Sequence, residues 1–341
     1  MSNHPYEITI RDKYKRVKGD DYNYIFNMEN GHFARWGKTE EDNPSFSPIG
    51  PELLDIEVST ICHGDCPWCY KSNTPEGKNM DFNTFQSILD IIPETLTQVA
   101  FGVGDLDTNP DLWKMFDYSR KNRVIPNITI NGRTLDESLA QKLVKKCGAV
   151  AVSHYDNADC FNAVELLGRV GLQQVNIHKL VAQETLESCF DLIDASKDDP
   201  RLKNLNAIVL LALKPKGERN NLHPLALDKF SELIKYALRK NVPFGFDSCS
   251  ATKVLKVLRG NPKYPHYKMM AEPCESTCFS LYINCEGKSY PCSFLEGEPG
   301  YEGIDMLEVD DFMEDVWYHP KIEDFRANLL KKGRNCPHFQ I

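Results

Sequence analysis

The chain has 341 residues, and its composition and charge already exclude several classes of protein. Hydrophobic residues make up 41% and charged residues 26% of it, which is ordinary for a globular protein and excludes a disordered, collagen-like or fibrous one. The net charge of −9 argues against a surface that coats nucleic acid. The longest apolar run has seven residues, whereas a membrane-spanning helix needs about 20, so no membrane contact is expected.

The first 51 residues predict a small β-unit. Strands are expected at 6–10 and 22–27, and the Asn30-Gly31 turn leads into a short return strand at 32–36. Several prolines then indicate an extended connector that ends this unit.

The next region alternates between strand-like and helical segments. Strands are predicted at 54–59, 98–103, 127–131, 149–153, 174–180, 207–214 and 244–247. Helices are predicted at 83–92, 110–121, 135–146, 161–170, 185–195 and 228–239. Six β–α units in succession favour parallel strands with right-handed crossovers. We therefore predict an α/β chain built as a partial (β/α)6 TIM-type barrel, with a doubly wound sheet as the alternative.

Several of these strands alternate polar with apolar residues. In the third, Asn127, Thr129 and Asn131 alternate with Ile128 and Ile130. A period of two turns the apolar set toward the helices and the polar set toward the lumen. We therefore expect a wide barrel whose polar lumen is a binding cavity; the alternative is that each polar residue merely ends its strand.

After Pro262 the alternation stops, and a small cysteine-bearing α+β extension is predicted. Segments 279–284 and 288–294 flank a Glu286-Gly287 turn and predict a hairpin, and a helix is expected near 321–330. The predicted domains are therefore 1–51, 52–247 and 248–341.

The chain contains twelve cysteines, although its polar N-terminus carries no secretion signal and predicts a cytoplasmic protein. Structural disulfides are rare in that compartment, so we interpret the cysteines as metal ligands and a few buried thiols. Cys147, Cys160 and Cys189 lie in helical segments and are expected to be buried small hydrophobes.

Three cysteines follow the first barrel strand at the spacing Cys62-x3-Cys66-x2-Cys69. The C-terminal ends of barrel strands are where active sites of such barrels lie. Three thiolates on one short loop can hold three corners of an iron–sulfur cubane and leave the fourth iron open. The alternatives are a structural zinc site, with His63 or Asp65 as the fourth ligand, and a redox Cys-x2-Cys pair.

This loop, with Trp68 directly before its third cysteine, resembles the cysteine loop of the radical SAM superfamily. The resemblance covers about residues 52–247. It implies a [4Fe–4S] cluster on Cys62, Cys66 and Cys69, whose open iron binds S-adenosylmethionine (SAM). It further implies reductive cleavage of SAM to a 5′-deoxyadenosyl radical that abstracts a substrate hydrogen, with a flavodoxin- or ferredoxin-type electron donor. Because such a radical attacks almost any C–H bond, it must form in a closed cavity.

Two further segments are similar to SAM-binding parts of the family. Gly102, Gly104 and Asp105 resemble a Gly-Gly-Glu-like segment that receives the methionine amino group, although the acid is one methylene shorter and the glycines are separated. A simple glycine turn is the alternative. The turn that begins at Asn131 resembles the family's Thr-Asn-Gly turn, with isoleucine in place of threonine.

Three residues on later strands are also implied to contact the cofactor, as is Trp68. Ser153 matches a position that commonly contacts the methionine carboxylate or the ribose. Asn176 and His178 share the lumen face by parity and could touch the nucleoside. A histidine on a strand is as often a core residue with satisfied hydrogen bonds as it is a ligand-binding residue. This is the alternative for His178.

The extension resembles the SPASM and twitch extensions of this superfamily, which begin with a cysteine, a hairpin and Gly-x4-Cys. The resemblance implies a single auxiliary [4Fe–4S] cluster, because too few cysteines remain for two. Its implied ligands are Cys274, Cys278, Cys292 and Cys336. Either Cys249 or Cys285 could replace one of them, and zinc in four thiolates is the alternative.

The segment around Cys292 is similar to one in anaerobic sulfatase-maturating enzymes, where an aspartate base follows the cysteine. Here that residue is Ser293, which argues against the same reaction. Because such extensions are commonest in the peptide-maturing members of the superfamily, the leading function that the resemblance implies is radical modification of a peptide or protein side chain, as in the maturation of peptide natural products. The alternatives are modification of a small molecule, nucleotide or nucleic-acid base, and a non-catalytic iron–sulfur redox protein.

Overall fold

A computed structural model describes residues 6–341, so part of the polar N-terminus behind the cytoplasmic prediction lies outside it. The N-terminal unit is an antiparallel sheet of four strands in sequential order. They are β1 (Glu7–Arg11), β2 (Tyr14–Lys18), β3 (Asn23–Asn27) and β4 (Phe33–Trp36). The sequence prediction of this unit was wrong in omitting β2, whose basic residues do not resemble a buried strand. Lys15 nevertheless points inward, and its ammonium donates to the carbonyl oxygens of Glu94 at 3.0 Å and Leu96 at 2.5 Å.

The central unit contains seven parallel strands connected by six helices. The strands are β5 (Leu53–Glu57), β6 (Gln98–Gly102), β7 (Ile125–Ile130), β8 (Val150–Ser153), β9 (Val175–Val181), β10 (Ala207–Ala212) and β11 (Phe244–Phe246). The helices are α1 (Phe82–Ile91), α2 (Leu112–Lys121), α3 (Glu137–Lys146), α4 (Asn157–Arg169), α5 (Leu186–Asp198) and α6 (Leu227–Lys240). The strands follow one another in chain order from β5 to β11. In a doubly wound sheet the strand order changes direction part-way through the sheet. The continuous order seen here therefore confirms the partial (β/α)6 barrel.

The expected alternation of polar and apolar residues is also confirmed. Leu54 and Ile56 are buried in the main hydrophobic core together with residues of the surrounding helices. Asp55 therefore points to the opposite face, into the lumen, where its register partner on β6 is Ala100. Glu57 is paired in the same way with Gly102. On the other side of β5, the hydroxyl of Tyr282 donates to Glu57 at 3.1 Å and Lys71 pairs with the same carboxylate, so polar groups line this end of the lumen.

The extension continues the sheet of the barrel. It consists of α7 (Ala251–Leu258), α8 (Tyr264–Met270), β12 (Ser280–Ile283), β13 (Lys288–Tyr290), β14 (Ile304–Asp305) and α9 (Pro320–Lys331). The predicted hairpin and last helix are present, whereas α7 and α8 were not predicted. Because β12 pairs in parallel with β5, the barrel stays open between β5 and β11. Between residues 6 and 341, no helix is long and apolar enough to cross a membrane.

Candidate functional site

Cys62, Cys66 and Cys69 lie together on the loop that follows β5, and each is partly exposed. Burial raises the pKa of the Cys62 thiol, and the nearby thiols of Cys66 and Cys69 raise it further. Burial likewise raises the pKa of Cys66, with a further contribution from Cys69. Thiols that raise one another's pKa can all ionise only beside a centre of positive charge, as metal-ligating cysteines do.

Two other loops hold this cysteine loop in place through glycines. A Cβ atom on Gly104 would lie 2.1 Å from the carbonyl oxygen of Ile61 and 2.6 Å from the Cβ of Cys62. On the other side Gly217, whose φ is +104°, approaches so closely that a Cβ would lie 2.3 Å from the carbonyl oxygen of Cys69. The loops after β6 and β10 therefore fix the cysteine loop from two directions.

The two residues considered as a fourth zinc ligand are engaged elsewhere. The backbone N–H of His63 donates to Asp105 at 2.8 Å, and its ring Nδ1 lies 2.9 Å from the same carboxylate oxygen. Asp65 is 94% exposed and pairs with Arg219 at 2.7 Å. In the part of the chain from residue 6 onward, no three His, Cys, Asp or Glu side chains converge as ligands of one ion. A cubane needs no such convergence, because each cysteine binds a different iron. The donor set therefore fits a cubane with one open iron better than zinc.

The Gly-Val-Gly-Asp segment and the turn after β7 meet beside the cysteine loop. The amide of Asn131 donates to the Asp105 carboxylate at 2.6 Å and to the carbonyl oxygen of Gly104 at 3.3 Å. Burial by itself would raise the pKa of Asp105, but the donors from His63 and Asn131 outweigh it and hold that pKa below its usual value. Gly102 closes β6, with its carbonyl accepting from the backbone of the preceding strand.

The structure also locates the remaining residues implied to bind the cofactor. Ser153 at the end of β8 is the register partner of His178 on β9. Burial lowers the pKa of His178 to about 4, so its ring is neutral at physiological pH. Asn176 lies one layer deeper and accepts a hydrogen bond from Asn206 at 2.9 Å. Trp68 reaches toward the same strand end, with its ring 6.2 Å from that of Tyr155.

Sequence reasoning missed two residues beside the cysteine loop. Tyr155 lies beside the loop, with its ring 6.2 Å from that of Trp68, and burial and the nearby Cys66 raise the pKa of its hydroxyl. The positive charge of Arg133 lowers the pKa of Cys66 against the opposing effect of burial, and its guanidinium lies 5.7 Å from the Tyr155 ring. Both directly follow a strand end, Arg133 after the Asn131-Gly132 turn, and that position is the signal that could have identified them.

Four cysteines of the extension form a second group, called here the auxiliary group: Cys249, Cys274, Cys292 and Cys336. The pKa of Cys249 is raised chiefly by its hydrogen bond with Cys274. Burial raises the pKa of Cys292 to about 12, and Cys249 and Cys336 raise it further. Four neighbouring thiols are a donor set that suits a metal cluster.

The other two candidates of the extension lie apart from this group. Cys278 is fully buried at the start of β12; its thiol pKa is raised to about 11 by burial and opposed by the charges of Arg334 and Arg326. The thiol pKa of Cys285 is also raised to about 11, by burial and by nearby Glu57. The expectation that Cys147, Cys160 and Cys189 are buried is confirmed.

No family model and no curated protein matches the chain, but solved structures do. Streptococcus suis SuiB bound to SAM superposes with a TM-score of 0.70 and 14% identity, over 94% of this chain and 90% of that chain. SuiB bound to the precursor peptide SuiA gives a TM-score of 0.69 and 14% identity, over 94% and 91%. The structure of anSMEcpe with bound SAM and the Cp18Cys peptide superposes with a TM-score of 0.61 and 17% identity, over 85% of this chain and 89% of that chain.

The chain shares its fold with SuiB and anSMEcpe. Its likeness to SuiB spans the barrel and the extension together, since nine-tenths of each chain is covered. At 14–17% identity the likeness establishes the architecture and not the activity.

Proposed function

We propose that this chain is a radical SAM enzyme that modifies a peptide or protein side chain. The observation that carries the proposal is the arrangement of Cys62, Cys66 and Cys69 at the mouth of an open, polar barrel. Their loop is clamped from two sides, and the side chains that could complete a zinc site are bound to other partners. A ligand set with one coordination position left open suits cofactor activation rather than structure.

The three cysteines would hold a [4Fe–4S] cluster, which supplies one electron for reductive cleavage of SAM when it is bound. The chain's own residues hold and shield the site. Asn131 keeps Asp105 and the preceding glycine loop in position beside the cysteines. Tyr155 and Arg133 lie beside the loop on the β7 and β8 side, with the Arg133 guanidinium 5.7 Å from the Tyr155 ring.

We also propose that the auxiliary group holds a second [4Fe–4S] cluster. Its support is the proximity of Cys249, Cys274, Cys292 and Cys336, with Cys249 in the place first expected for Cys278. Zinc remains the competing occupant of four thiolates, and metal analysis separates the two.

A peptide is the proposed substrate, because the lumen offers polar groups and space, and because two structures of similar architecture contain peptides. Asp55 and Glu57 face this lumen beside small residues of β6. Ser293 stands after Cys292, so the chain has no carboxylate there to act as base, which argues for a reaction other than sulfatase maturation.

The test is SAM cleavage by anaerobically reconstituted protein reduced with dithionite. We expect 5′-deoxyadenosine from the unmodified protein and from Cys147→Ala, and none from Cys66→Ala. Candidate peptides carrying deuterium should transfer the label to 5′-deoxyadenosine. Absence of both an iron–sulfur chromophore and 5′-deoxyadenosine would refute the enzymatic proposal, whereas label from a nucleotide alone would refute the peptide substrate.

A further inference from the structure

The segment between β11 and β12 is strongly basic in an otherwise acidic chain. Residues 248–271 contain five lysines and arginines and no aspartate or glutamate, although the whole chain has a net charge of −9. The segment forms α7 and α8, which pack against each other and, through α7, against α6. A local reversal of charge of this size needs an explanation beyond general solubility.

Four of these cations point to solvent and have no anionic partner. Lys256, Arg259, Lys263 and Lys268 are all exposed. The salt bridges formed among residues 6–341 involve other cations. The fifth, Lys253, is the exception because its ammonium donates to the carbonyl oxygen of Leu225 at 2.9 Å.

The fold orients these cations outward. Ala251, Val254 and Leu258 are buried on one side of α7, which leaves its basic side facing solvent. The end of α8 adds two methionines, Met269 and Met270, which are 81% and 64% exposed. Exposed methionines are flexible apolar contacts that adapt to a partner surface. We call the four free cations and two methionines the α7–α8 surface.

The α7–α8 surface lies beside the auxiliary group in the chain and in space. Cys249 immediately precedes α7, and Cys274 follows α8 by four residues. The hydroxyl of Thr252 on α7 donates to Asn335, the neighbour of Cys336, at 2.6 Å, and Arg334 donates to the carbonyl oxygen of Cys274 at 3.0 Å. The basic surface is therefore carried by the loop whose two ends are auxiliary-group residues.

We propose that the α7–α8 surface is the docking site of an acidic electron-donor protein of the flavodoxin class, an inference that rests on the proposed function. A donor with an acidic surface is repelled by a chain of charge −9, so its approach requires a local basic surface. Small, charge-steered interfaces are typical of electron-transfer partners. One electron leaves the flavin hydroquinone, which becomes the semiquinone, and reduces the oxidised iron–sulfur protein; no covalent bond forms or breaks.

The test compares two charge-reversed variants with the same net charge. The first carries Lys256→Glu, Arg259→Glu, Lys263→Glu and Lys268→Glu. The control carries Lys38→Glu, Lys145→Glu, Lys203→Glu and Lys235→Glu, at exposed lysines elsewhere. Binding of fluorescently labelled, oxidised flavodoxin to each reconstituted protein is measured by anisotropy at about 20 mM and about 200 mM salt. Stopped-flow absorbance then gives the rate of reduction by flavodoxin hydroquinone.

We expect the first variant to bind flavodoxin at least tenfold more weakly at low salt and to be reduced correspondingly more slowly. The control should retain most of its affinity, and dithionite should reduce all three proteins equally. Equal losses in both variants, or none in either, would overturn the proposal. So would unchanged flavodoxin binding combined with lost binding of an acidic peptide or an oligonucleotide. Failure of the dithionite-reduced protein to cleave SAM would instead refute the proposed function, and the binding comparison would still stand.

Discussion

The ring of Tyr70 stacks on that of Phe294, with centroids 4.4 Å apart and planes inclined by 29°. Tyr70 directly follows Cys69, and Phe294 lies two residues after Cys292. This contact therefore joins the cysteine loop at the barrel mouth to the auxiliary group. The two groups are held at a fixed separation by side-chain packing, not only by the backbone.

The first prediction concerns the strength of this contact. A stacked aromatic pair contributes about 1 kcal/mol beyond the burial of its area. We expect Tyr70→Ala and Phe294→Ala each to lower the free energy of unfolding, and the double variant to lower it by about 1 kcal/mol less than their sum. Anaerobic urea unfolding followed by circular dichroism measures all four proteins. Tyr70→Phe keeps the stack and should retain the coupling; strict additivity of the two alanine variants would contradict the assignment.

The second prediction concerns the ligands of the auxiliary group. Reconstituted protein should hold about eight irons if both sites carry cubanes. We expect Cys249→Ala to lose about four of them, because it removes one of the four clustered thiols. Cys278→Ala should keep its iron, because that thiol lies among arginines at the start of β12. Iron and sulfide analysis with EPR of the reduced proteins measures this, and the opposite result would restore Cys278 as the ligand.

Cys249 shows where sequence spacing stops being informative. Ligands on one short loop must be close in space, so the set Cys62, Cys66 and Cys69 could be inferred from spacing alone. Cys249 precedes Cys274 by two helices that have no fixed length, and only the packing of α7 and α8 brings the two thiols together. Cys278 is closer in sequence to the predicted hairpin than Cys249 is, so it also matched the expected order of cysteine ligands.

The third prediction compares two glycines on the same strand and loop. We expect Gly104→Ala to disrupt the cysteine loop, because its Cβ would lie 2.1 Å from the Ile61 carbonyl oxygen. Gly102→Ala is the control, because its Cβ would meet its nearest neighbour, the Cα of Glu57, at an ordinary 3.4 Å. Gly104→Ala should therefore lose about four irons and SAM binding, while Gly102→Ala keeps its iron. Full iron loading of Gly104→Ala would show that the loop can move away without cost.

The barrel could be predicted because its strands carry a period-two pattern that survives folding. Leu54 and Ile56 face the helices and Asp55 the lumen, as their alternation requires. The strand containing Lys15 could not be predicted in that way. The ammonium of its inward lysine donates to two backbone carbonyls of a distant segment, and no local pattern encodes such a partner.

The last prediction concerns the lumen carboxylate Asp55. Burial raises its pKa to about 6, whereas an aspartate in the unfolded chain has a pKa of about 3.9. The folded state thus holds this proton more tightly, and the resulting stability is present below about pH 4 and is lost as the pH rises through 6. Asp55→Asn is neutral at every pH, so its stability relative to the unmodified protein should increase by about 1–3 kcal/mol between pH 4 and 6.

Urea unfolding at several pH values measures this difference. The buried imidazole of His178 has the opposite effect, because its pKa is lowered to about 4 by burial and its contribution is lost as the pH falls below about 6.5. That contribution is common to both proteins and cancels in the comparison. A flat profile for Asp55→Asn would mean that the Asp55 carboxylate is as well solvated in the barrel as on the surface, and that the lumen around it is filled with water.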